Sequence, residues 1–233
     1  HWMMTNVVST VRLHERLRQY DFLDRYVHVT TPEVYGSTDG WIKEDVPFNP
    51  TTPYAVSRAA GDMSLRTYVR QHGFPAVSTR AANVFGPGQQ LYRIVPRTIL
   101  FAMLGRKLQL HGGGHSIRSF IDMRDVSAAT LQIALSGTLG DTYHISTPRL
   151  ISIRELVEMI VKRLGKDMAS AVEIVDERPG KDTAYMLNSD KLRGELGWAD
   201  KISLETGIED TILWAEKYID ELKRLPADYT HKP

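Results

Sequence analysis

Residues 52–81 read TPYAVSRAAGDMSLRTYVRQHGFPAVSTRA, and this stretch decides the fold class. Thr52 is a favourable helix N-cap, and Pro53 suits the first helical position, so the sequence predicts a helix that begins here. Gly73 is expected to end that helix, because glycine adopts the left-handed conformation that often closes a helix. The β-rich residues 76–81 then predict a strand.

A second β-rich run, YVHVT at residues 26–30, precedes this helix. The order strand, helix, strand predicts parallel βα units and a doubly wound sheet. Apolar residues at helical spacing over residues 4–17 place the opening of the chain inside a helix. Further helices are predicted over residues 94–104, 122–135, 152–164, 189–197 and 204–222, and short strands over residues 108–111, 143–145 and 172–175. Ser152 and Glu155 have the spacing of a capping box for the helix over residues 152–164, and Ser189 is the expected cap of the helix over residues 189–197. The glycine run at residues 112–114 lacks the spacing of a phosphate-binding loop, so a turn is expected there.

The composition is that of a globular protein, with 42% hydrophobic and 24% charged residues in a chain of 233. Its net charge of +1 gives no general attraction to nucleic acid or to membrane surfaces, so neither is expected as a partner. The chain has no cysteine, which excludes disulfides and a thiolate nucleophile. The eight histidines show no metal-ligand spacing, and no apolar run is long enough to span a membrane. We therefore expect a cytoplasmic protein without a metal.

Tyr54 and Arg58 lie four residues apart on the predicted helix, and so on the same face. A cation at this distance favours the tyrosinate form of its neighbour, although such pairs are also common on solvated helices. The segment TTPE at residues 30–33 directly follows the first strand. Open α/β sheets bind ligands at the carboxyl ends of their strands, so this segment and Tyr54 are candidates for one site.

The segments TTPEVYG at residues 30–36 and PTTPYAVS at residues 50–57 together resemble the active-site core of the extended short-chain dehydrogenase/reductases. Within that superfamily, the chain is most similar to the NAD-dependent epimerase/dehydratase family, whose members modify nucleotide sugars. Further matching segments follow in the family's order: NVFGPG at 83–88, GGHSIRSFI at 113–121, RPGKD at 178–182 and LGW at 196–198. These segments indicate the superfamily more strongly than they indicate the reaction.

The resemblance implies an α/β fold with a partial Rossmann-like doubly wound parallel sheet and a smaller C-terminal α+β substrate lobe. Residues 1–86 would form the C-terminal part of the dinucleotide-binding domain, including the catalytic helix. Residues 87–233 would form mainly the nucleotide-sugar-binding lobe, with some segments that return to the Rossmann domain. The family's glycine-rich dinucleotide-binding turn has no counterpart in the sequence. We therefore expect roughly 80 further residues, or three βα units, before this chain in the complete fold.

The resemblance also implies catalytic roles. Tyr54 would take a proton from a sugar hydroxyl, and the Thr31 hydroxyl would help to hold that oxygen, while the carbon loses hydride to a nicotinamide. Arg58 replaces the family's usual lysine as the cation beside the cofactor, and Tyr54 and Thr30 are also expected to contact the cofactor. That cofactor is expected to be NAD, or NADP, because the segment that distinguishes the two is not in the sequence. Arginine keeps the charge but presents a broad planar group.

In the sugar 4,6-dehydratases, an Asp-Glu pair follows the threonine, whereas this sequence has Pro32 and Glu33. Glu33 remains a candidate second base, but Pro32 has no proton to donate. The preferred interpretation is an NAD(P)-dependent, 4,6-dehydratase-like enzyme that oxidises the sugar of a nucleotide-diphosphate sugar at carbon four. A 4-epimerase or a decarboxylase is an alternative. Arg58, Pro32 and the absent cofactor segment leave open a non-catalytic nucleotide-sugar-binding homologue.

Asn83, Arg118 and Arg178 match the family's nucleotide-diphosphate positions, and two guanidinium groups can hold phosphates through paired hydrogen bonds. Arg93 and Gln89 lie in the loop that is expected to close over the sugar.

The resemblance also implies a homodimer that is formed by the helices near residues 4–17 and 54–69. The candidate apolar contact residues are Leu13, Leu17, Leu65 and Val69, and the alternative is that these residues face the sheet.

Overall fold

The computed structural model describes residues 1–177 and 186–229. The chain opens with a helix whose part Met4–Ser9 is π-helical. The elements that follow are α1 (Thr10–Leu17), β1 (Tyr26–Thr30), a 3₁₀ turn (Pro32–Tyr35), β2 (Trp41–Ile42), α2 (Pro53–His72), β3 (Ala76–Ala81), β4 (Asn83–Phe85), α3 (Ile94–Met103), β5 (Leu108–His111), β6 (Ile117–Arg118), β7 (Phe120–Asp122) and α4 (Met123–Ser136). After these come β8 (Thr142–Ile145), β9 (Ile151–Ser152), α5 (Ile153–Arg163), α6 (Met168–Ala171), β10 (Val172–Val175), β11 (Met186–Leu187), α7 (Asp190–Leu196), α8 (Leu204–Lys217) and α9 (Ile219–Leu222).

The largest sheet in the described residues has three parallel strands in the order β1, β3, β8. Helix α2 connects β1 to β3, and the strand register pairs Thr30 with Arg80. Strand β4 follows β3 after one residue and pairs in parallel with β7. The predicted α/β fold with parallel βα units is therefore confirmed.

Helix α2 begins and ends where the sequence predicts. The Thr52 side chain accepts a hydrogen bond from the backbone N–H of Ala55 at 3.1 Å, and Gly73 ends the helix with a φ of 62°. The predicted capping box of α5 is also present, because Ser152 and Glu155 each bind the other's backbone N–H. Local side-chain chemistry therefore fixes these helix ends.

Two large hydrophobic clusters hold the elements together. The first lies between the central sheet, β7 and helices α4 and α7, and includes Val77, Ile121, Ile133, Tyr143 and Leu192. The second joins α3, α5 and α8, and includes Ile99, Leu156, Ile160, Ile208 and Ile212. Helices α3, α5 and α8 therefore share a core that is distinct from the cluster on the central sheet.

The C-terminal helices differ from the prediction in two details. Ser189 precedes α7 but does not cap it, because its hydroxyl donates to the Ser146 carbonyl at 3.1 Å. The Asn188 side chain instead accepts the backbone N–H of Asp190 at 2.7 Å. The helix predicted to continue to residue 222 is interrupted at Tyr218, whose φ of −112° is not helical.

The predicted dimer contact residues do not share an outward face. Leu65 is buried against Phe74 and Ala76, and Leu17 and Val69 pack against the same cluster. Of the four predicted residues, only Leu13 is exposed. Helix α2 packs on the sheet through this face, so three of the predicted contact residues belong to the protein's own core. The exposed apolar side chains on the opening helix and α2 are Met3, Met4, Leu13, Val56 and Met63.

Helix α1 buries a histidine in an aromatic cage. The ring centroid of His14 lies 5.1 Å from that of Tyr26, 5.8 Å from that of Tyr68 and 5.6 Å from that of Phe74. Neither ring nitrogen of His14 has a hydrogen-bond partner within the part of the chain that the structure describes. Burial, together with the nearby His28, lowers the pKa of His14 from 6.5 to about 4.

This histidine predicts an acid-sensitive fold. The unfolded chain takes up a proton at His14 near pH 6.5, whereas the folded chain does so near its lowered pKa of about 4, so stability falls as the pH falls from 6.5 to about 4. When the pH is lowered from about 7.5 to about 5, the free energy of unfolding of His14→Phe should fall by about 2 kcal/mol less than that of the wild type. Urea unfolding measures both. His72→Gln, an exposed site at the end of α2, is the control. An unchanged pH dependence in His14→Phe would contradict the prediction.

Candidate active site

A cleft of about 1320 Å³ opens at the carboxyl ends of β1 and β3. The predicted site residues that line it are Thr30, Thr31, Glu33, Tyr54, Asn83, Gln89, Arg93 and Arg118. Arg58 is not among the lining residues, although it binds one of them, Val29, and Arg178 lies outside the described residues. The fold thus brings together side chains from five separate segments of the sequence.

The turn after β1 presents one wall of the cleft. Thr31 has an extended backbone, and its hydroxyl accepts the backbone N–H of Glu33 at 3.3 Å, which starts the 3₁₀ turn. Gly36 ends the turn with a φ of +67°, and a Cβ at this position would lie 2.3 Å from the carbonyl oxygen of Asn49. Only glycine fits there, so the local sequence fixes how Pro32 and Glu33 enter the cleft.

Tyr54 lies on the first turn of α2 and is partly buried. Burial raises the pKa of Tyr54, and the charge of Glu33 acts in the same direction, whereas Arg58, Arg93 and a hydrogen bond with the Thr31 side chain oppose the rise. Arg58 was expected to favour the tyrosinate, and its charge does lower the pKa of Tyr54. The net shift is nevertheless upward, because desolvation of the phenol is the largest contribution.

Arg58 is joined to the strand that carries the threonines. Its guanidinium donates to the backbone carbonyl of Val29 in β1. This bond leaves the long arginine side chain stretched along the strand end, beside Tyr54 on the same helix. The position that holds a lysine in the family therefore joins α2 to β1 in this protein.

Two residues near the start of the chain support Tyr54, and sequence reasoning missed both. The ring of Trp2 lies edge-on to that of Tyr54, with 5.8 Å between centroids. The Asn6 side chain donates to the hydroxyl of Ser57 at 2.9 Å, and a Cβ on Gly61 would lie 2.7 Å from the Asn6 carbonyl oxygen. The opening helix and α2 can approach this closely because residue 61 is a glycine.

Arg118 lies on the opposite wall, on β6, and is largely buried. One of its guanidinium nitrogens donates to the Ile117 carbonyl at 2.8 Å. Gly112, Gly113 and Gly114 connect β5 to β6 with φ values of 56°, 69° and 75°, so each adopts a backbone conformation that favours glycine. The predicted turn at this glycine run is confirmed, and it directs Arg118 into the cleft.

The rim of the cleft contains residues that no sequence motif indicates. Arg97 on α3 pairs with Asp228 near the C-terminus at 2.7 Å. Next to this pair, the rings of Tyr92 and Tyr229 meet with 5.2 Å between centroids. Residues 228 and 229 reach the site only through the packing of the C-terminal segment, which no local motif indicates.

Among residues 1–177 and 186–229, no group of three or more His, Cys, Asp and Glu side chains could hold a metal ion. No helix in the same residues is long and apolar enough to cross a membrane.

A parallel Rossmann-like sheet, with Thr31 directly after β1 and Tyr54 on the first turn of the following helix, is the arrangement of the extended short-chain dehydrogenase/reductases. More specifically, the chain belongs to the GDP-mannose 4,6 dehydratase family, whose model matches residues 1–211.

Individual relatives agree with this assignment. The chain is 34% identical over 217 residues to a trifunctional UDP-glucose 4,6-dehydratase/UDP-4-keto-6-deoxy-D-glucose 3,5-epimerase/UDP-4-keto-L-rhamnose-reductase of Arabidopsis thaliana, covering 90% of this chain and 32% of the relative. It is 34% identical over 218 residues to a dTDP-glucose 4,6-dehydratase of Mycolicibacterium smegmatis, covering 91% and 65%. The chain thus spans about a third of the first relative and just under two thirds of the second.

A solved structure agrees with the fold. The dTDP-glucose 4,6-dehydratase of Bacillus anthracis, determined in complex with NAD, superposes with a TM-score of 0.89 at 32% identity. The match covers 94% of this chain and 70% of that chain.

Proposed function

We propose that the protein containing this chain is an NAD-dependent enzyme that oxidises a nucleotide-diphosphate sugar at carbon four, in the manner of the 4,6-dehydratases. The observation that carries the proposal is the meeting of Tyr54 and Thr31, from separate elements, in a cleft that also contains Arg118. The relatives named above act on nucleotide-linked glucose, which supports this substrate class.

The residues of the cleft fit a nicotinamide cofactor. The cleft volume of about 1320 Å³ exceeds the range of roughly 300–1,000 Å³ that is usual for one small ligand. The nicotinamide end would be held by Thr30 at the carboxyl end of β1 and by Tyr54 and Arg58 on α2. The complex of the B. anthracis relative favours NAD over NADP.

The chain's own residues would supply the proton chemistry. Tyr54 takes the proton from the hydroxyl on carbon four, and the Thr31 hydroxyl holds that oxygen in line. The bound cofactor supplies the acceptor for the hydride from the same carbon. Arg58 and Arg93 lower the cost of the tyrosinate, which burial alone makes unfavourable. Glu33 would act as the second base at the neighbouring carbon.

A 4-epimerase is the second candidate, and Pro32 favours it. Proline occupies the place of the acid that expels water in the 4,6-dehydratases, and its side chain carries no proton. Epimerisation needs the tyrosine and the cofactor but no acid at this position.

The experiment is mass analysis of the products that the protein containing this chain forms from a panel of nucleotide sugars with NAD. A product that has lost one water supports dehydration, whereas an unchanged mass with inverted carbon four supports epimerisation. Absence of turnover with every sugar, despite binding, would contradict both and support a non-catalytic homologue.

Arg118 is proposed to bind the diphosphate, because it is a largely buried cation in the cleft of a nearly neutral chain. Arg118→Ala should weaken binding of a nucleotide-diphosphate sugar by about 1.5–3 kcal/mol, the range of a hydrogen bond to a charged group. Calorimetry measures this change, with Arg106→Ala, an exposed arginine beyond α3, as the control. Equal affinities of Arg118→Ala and the wild type would exclude this role. The same role is proposed for Arg178.

We also propose a homodimer through the opening helix and α2, supported by their exposed apolar side chains, among them Met4, Leu13 and Met63. A monomer in light scattering at micromolar concentration would contradict this proposal.

A cytoplasmic location is proposed from the lack of cysteine, which suits a reducing compartment.

A further inference from the structure

Asp62 lies on α2, one turn beyond Arg58 and two turns beyond Tyr54, and is only 4% exposed. Charged carboxylates are rarely buried to this extent unless they are paired. Three groups surround this one. Its Oδ2 accepts hydrogen bonds from the Thr30 hydroxyl at 2.9 Å and from Arg80 at 2.7 Å, and its Oδ1 lies 3.0 Å from Nε2 of His28.

These contacts join one helix to two strands. His28 and Thr30 are two residues apart on β1, so their side chains point to the same face of the sheet. Helix α2 covers that face. Between them, the Val29 carbonyl accepts the hydrogen bond from Arg58. Three consecutive residues of β1 are thus bound to α2, directly before Thr31.

Arg80 links Asp62 to the segment that follows Thr31 in the chain. It is 1% exposed, and besides Asp62 it donates to the Tyr35 hydroxyl at 2.6 Å. Tyr35 is the last residue of the 3₁₀ turn that carries Glu33, and its hydroxyl also lies 2.8 Å from Nε2 of His144. The segment with Thr31 and Glu33 is therefore held both before and after the site.

We propose that Asp62 is a positioning residue of the active site, which holds α2 against β1 and β3 so that Tyr54 and Arg58 face Thr31. Asp62 acts through these contacts and does not touch the substrate. The expected effect on turnover rests on the proposed function, whereas the effect on Tyr54 itself does not.

The ionisation of Tyr54 reports its position. The charged groups that face Tyr54 are Arg58 on its own helix, Glu33 on the 3₁₀ turn and Arg93 before α3. Removing the negative charge of Asp62 would, through space alone, lower the pKa of Tyr54. Loosening the contacts with Arg58 and Thr31, which stabilise the tyrosinate, would raise the pKa. The sign of the change therefore distinguishes positioning from direct electrostatics.

The test compares Asp62→Asn with Asp125→Asn. Asp125 is a matched control, because it is 5% exposed and its carboxylate accepts the backbone N–H groups of Lys201 and Ile202 at 3.0 Å and 2.9 Å. Ultraviolet difference titration, each protein against its own Tyr54→Phe counterpart, isolates the phenol of Tyr54. We expect Asp62→Asn to raise this pKa by about half a unit or more, and Asp125→Asn to leave it unchanged.

In turnover, Asp62→Asn should lower kcat by about tenfold to hundredfold with KM within about twofold, because small misplacements of reacting groups carry costs of this size. Asp125→Asn should retain kcat even if its thermal stability falls as far as that of Asp62→Asn. An unchanged or lowered pKa of Tyr54 in Asp62→Asn, or an equal loss of kcat in the control, would overturn the proposal.

A milder variant covers the case in which Asp62→Asn does not fold. His28→Leu removes one contact to Asp62 without changing the buried pair with Arg80, and should raise the pKa of Tyr54 by a smaller amount. No change in this variant would overturn the proposal. If the wild type converts no nucleotide sugar, the proposed function fails, while the titration of Tyr54 still decides the role of Asp62.

Discussion

Tyr54→Phe should lower kcat for oxidation of the nucleotide sugar by about 10²–10⁴-fold, the usual contribution of a positioned acid or base. The phenol oxygen is the only heavy atom removed, and this phenol is hydrogen-bonded to the Thr31 side chain. Burial already makes the tyrosinate costly, so the pH profile of the wild type should rise towards alkaline pH until Tyr54 ionises. Measurement of cofactor reduction in a single turnover follows the chemical step directly.

The matched control for this prediction lies on the same helix. Tyr68 is bound through its hydroxyl to Glu15 at 3.1 Å, away from the cleft, so Tyr68→Phe should retain kcat. Affinity for the nucleotide sugar, measured by calorimetry, should be retained in Tyr54→Phe because the diphosphate is expected to bind at Arg118. A Tyr54→Phe protein that oxidises sugar as fast as the wild type would show that another group is the base.

Pro32→Asp should increase the rate of 4,6-dehydration by about 10²–10⁴-fold, if wild-type turnover is limited by expulsion of water. Pro32 lines the cleft beside Glu33, at the start of the 3₁₀ turn, and is buried there. The wild type should therefore either act at carbon four without losing water or dehydrate slowly through a water held by Glu33. Mass spectrometry of the 4-keto-6-deoxy product in heavy water measures the step.

Pro32→Asn separates the acid from the loss of proline. Asparagine has the shape of aspartate but no acidic proton to deliver, so it should not accelerate dehydration. If the wild type forms the 4-keto-6-deoxy product at a rate that Pro32→Asp cannot improve, then another group is the acid and Pro32 is no handicap. Equal acceleration by Asp and Asn would mean that backbone freedom, rather than an acid, limits the wild type.

Much of the fold could be predicted because its signals are local. Thr52, Gly73 and the Ser152–Glu155 capping box act within one helical turn, and the structure confirms each of them. The strand that ends at Thr30 and the helix that carries Tyr54 were identified for the same reason. Side-chain roles in the cleft remain predictions, although the fold brings most of the predicted residues to one place.

Contacts between distant segments were the hardest to predict. Leu17, Leu65 and Val69 were candidates for a dimer contact or for packing on the sheet, and they pack on the sheet. Helical periodicity could not decide between the two, since it identifies an apolar face without identifying what covers it. Ser189 has the composition of a helix cap, but its hydroxyl binds Ser146, 43 residues earlier in the chain.

The sequence by itself determined the α/β fold, the family and the pairing of Tyr54 with Arg58, because spacing along one helix or one strand sets them. Only the tertiary structure revealed that Asp62, His28 and Arg80 form one buried group, since their partners come from three elements. It also decided that Arg58 binds a strand carbonyl and that Tyr229 reaches the cleft. A buried charge requires partners wherever the chain supplies them, and packing, rather than sequence distance, decides which partners those are.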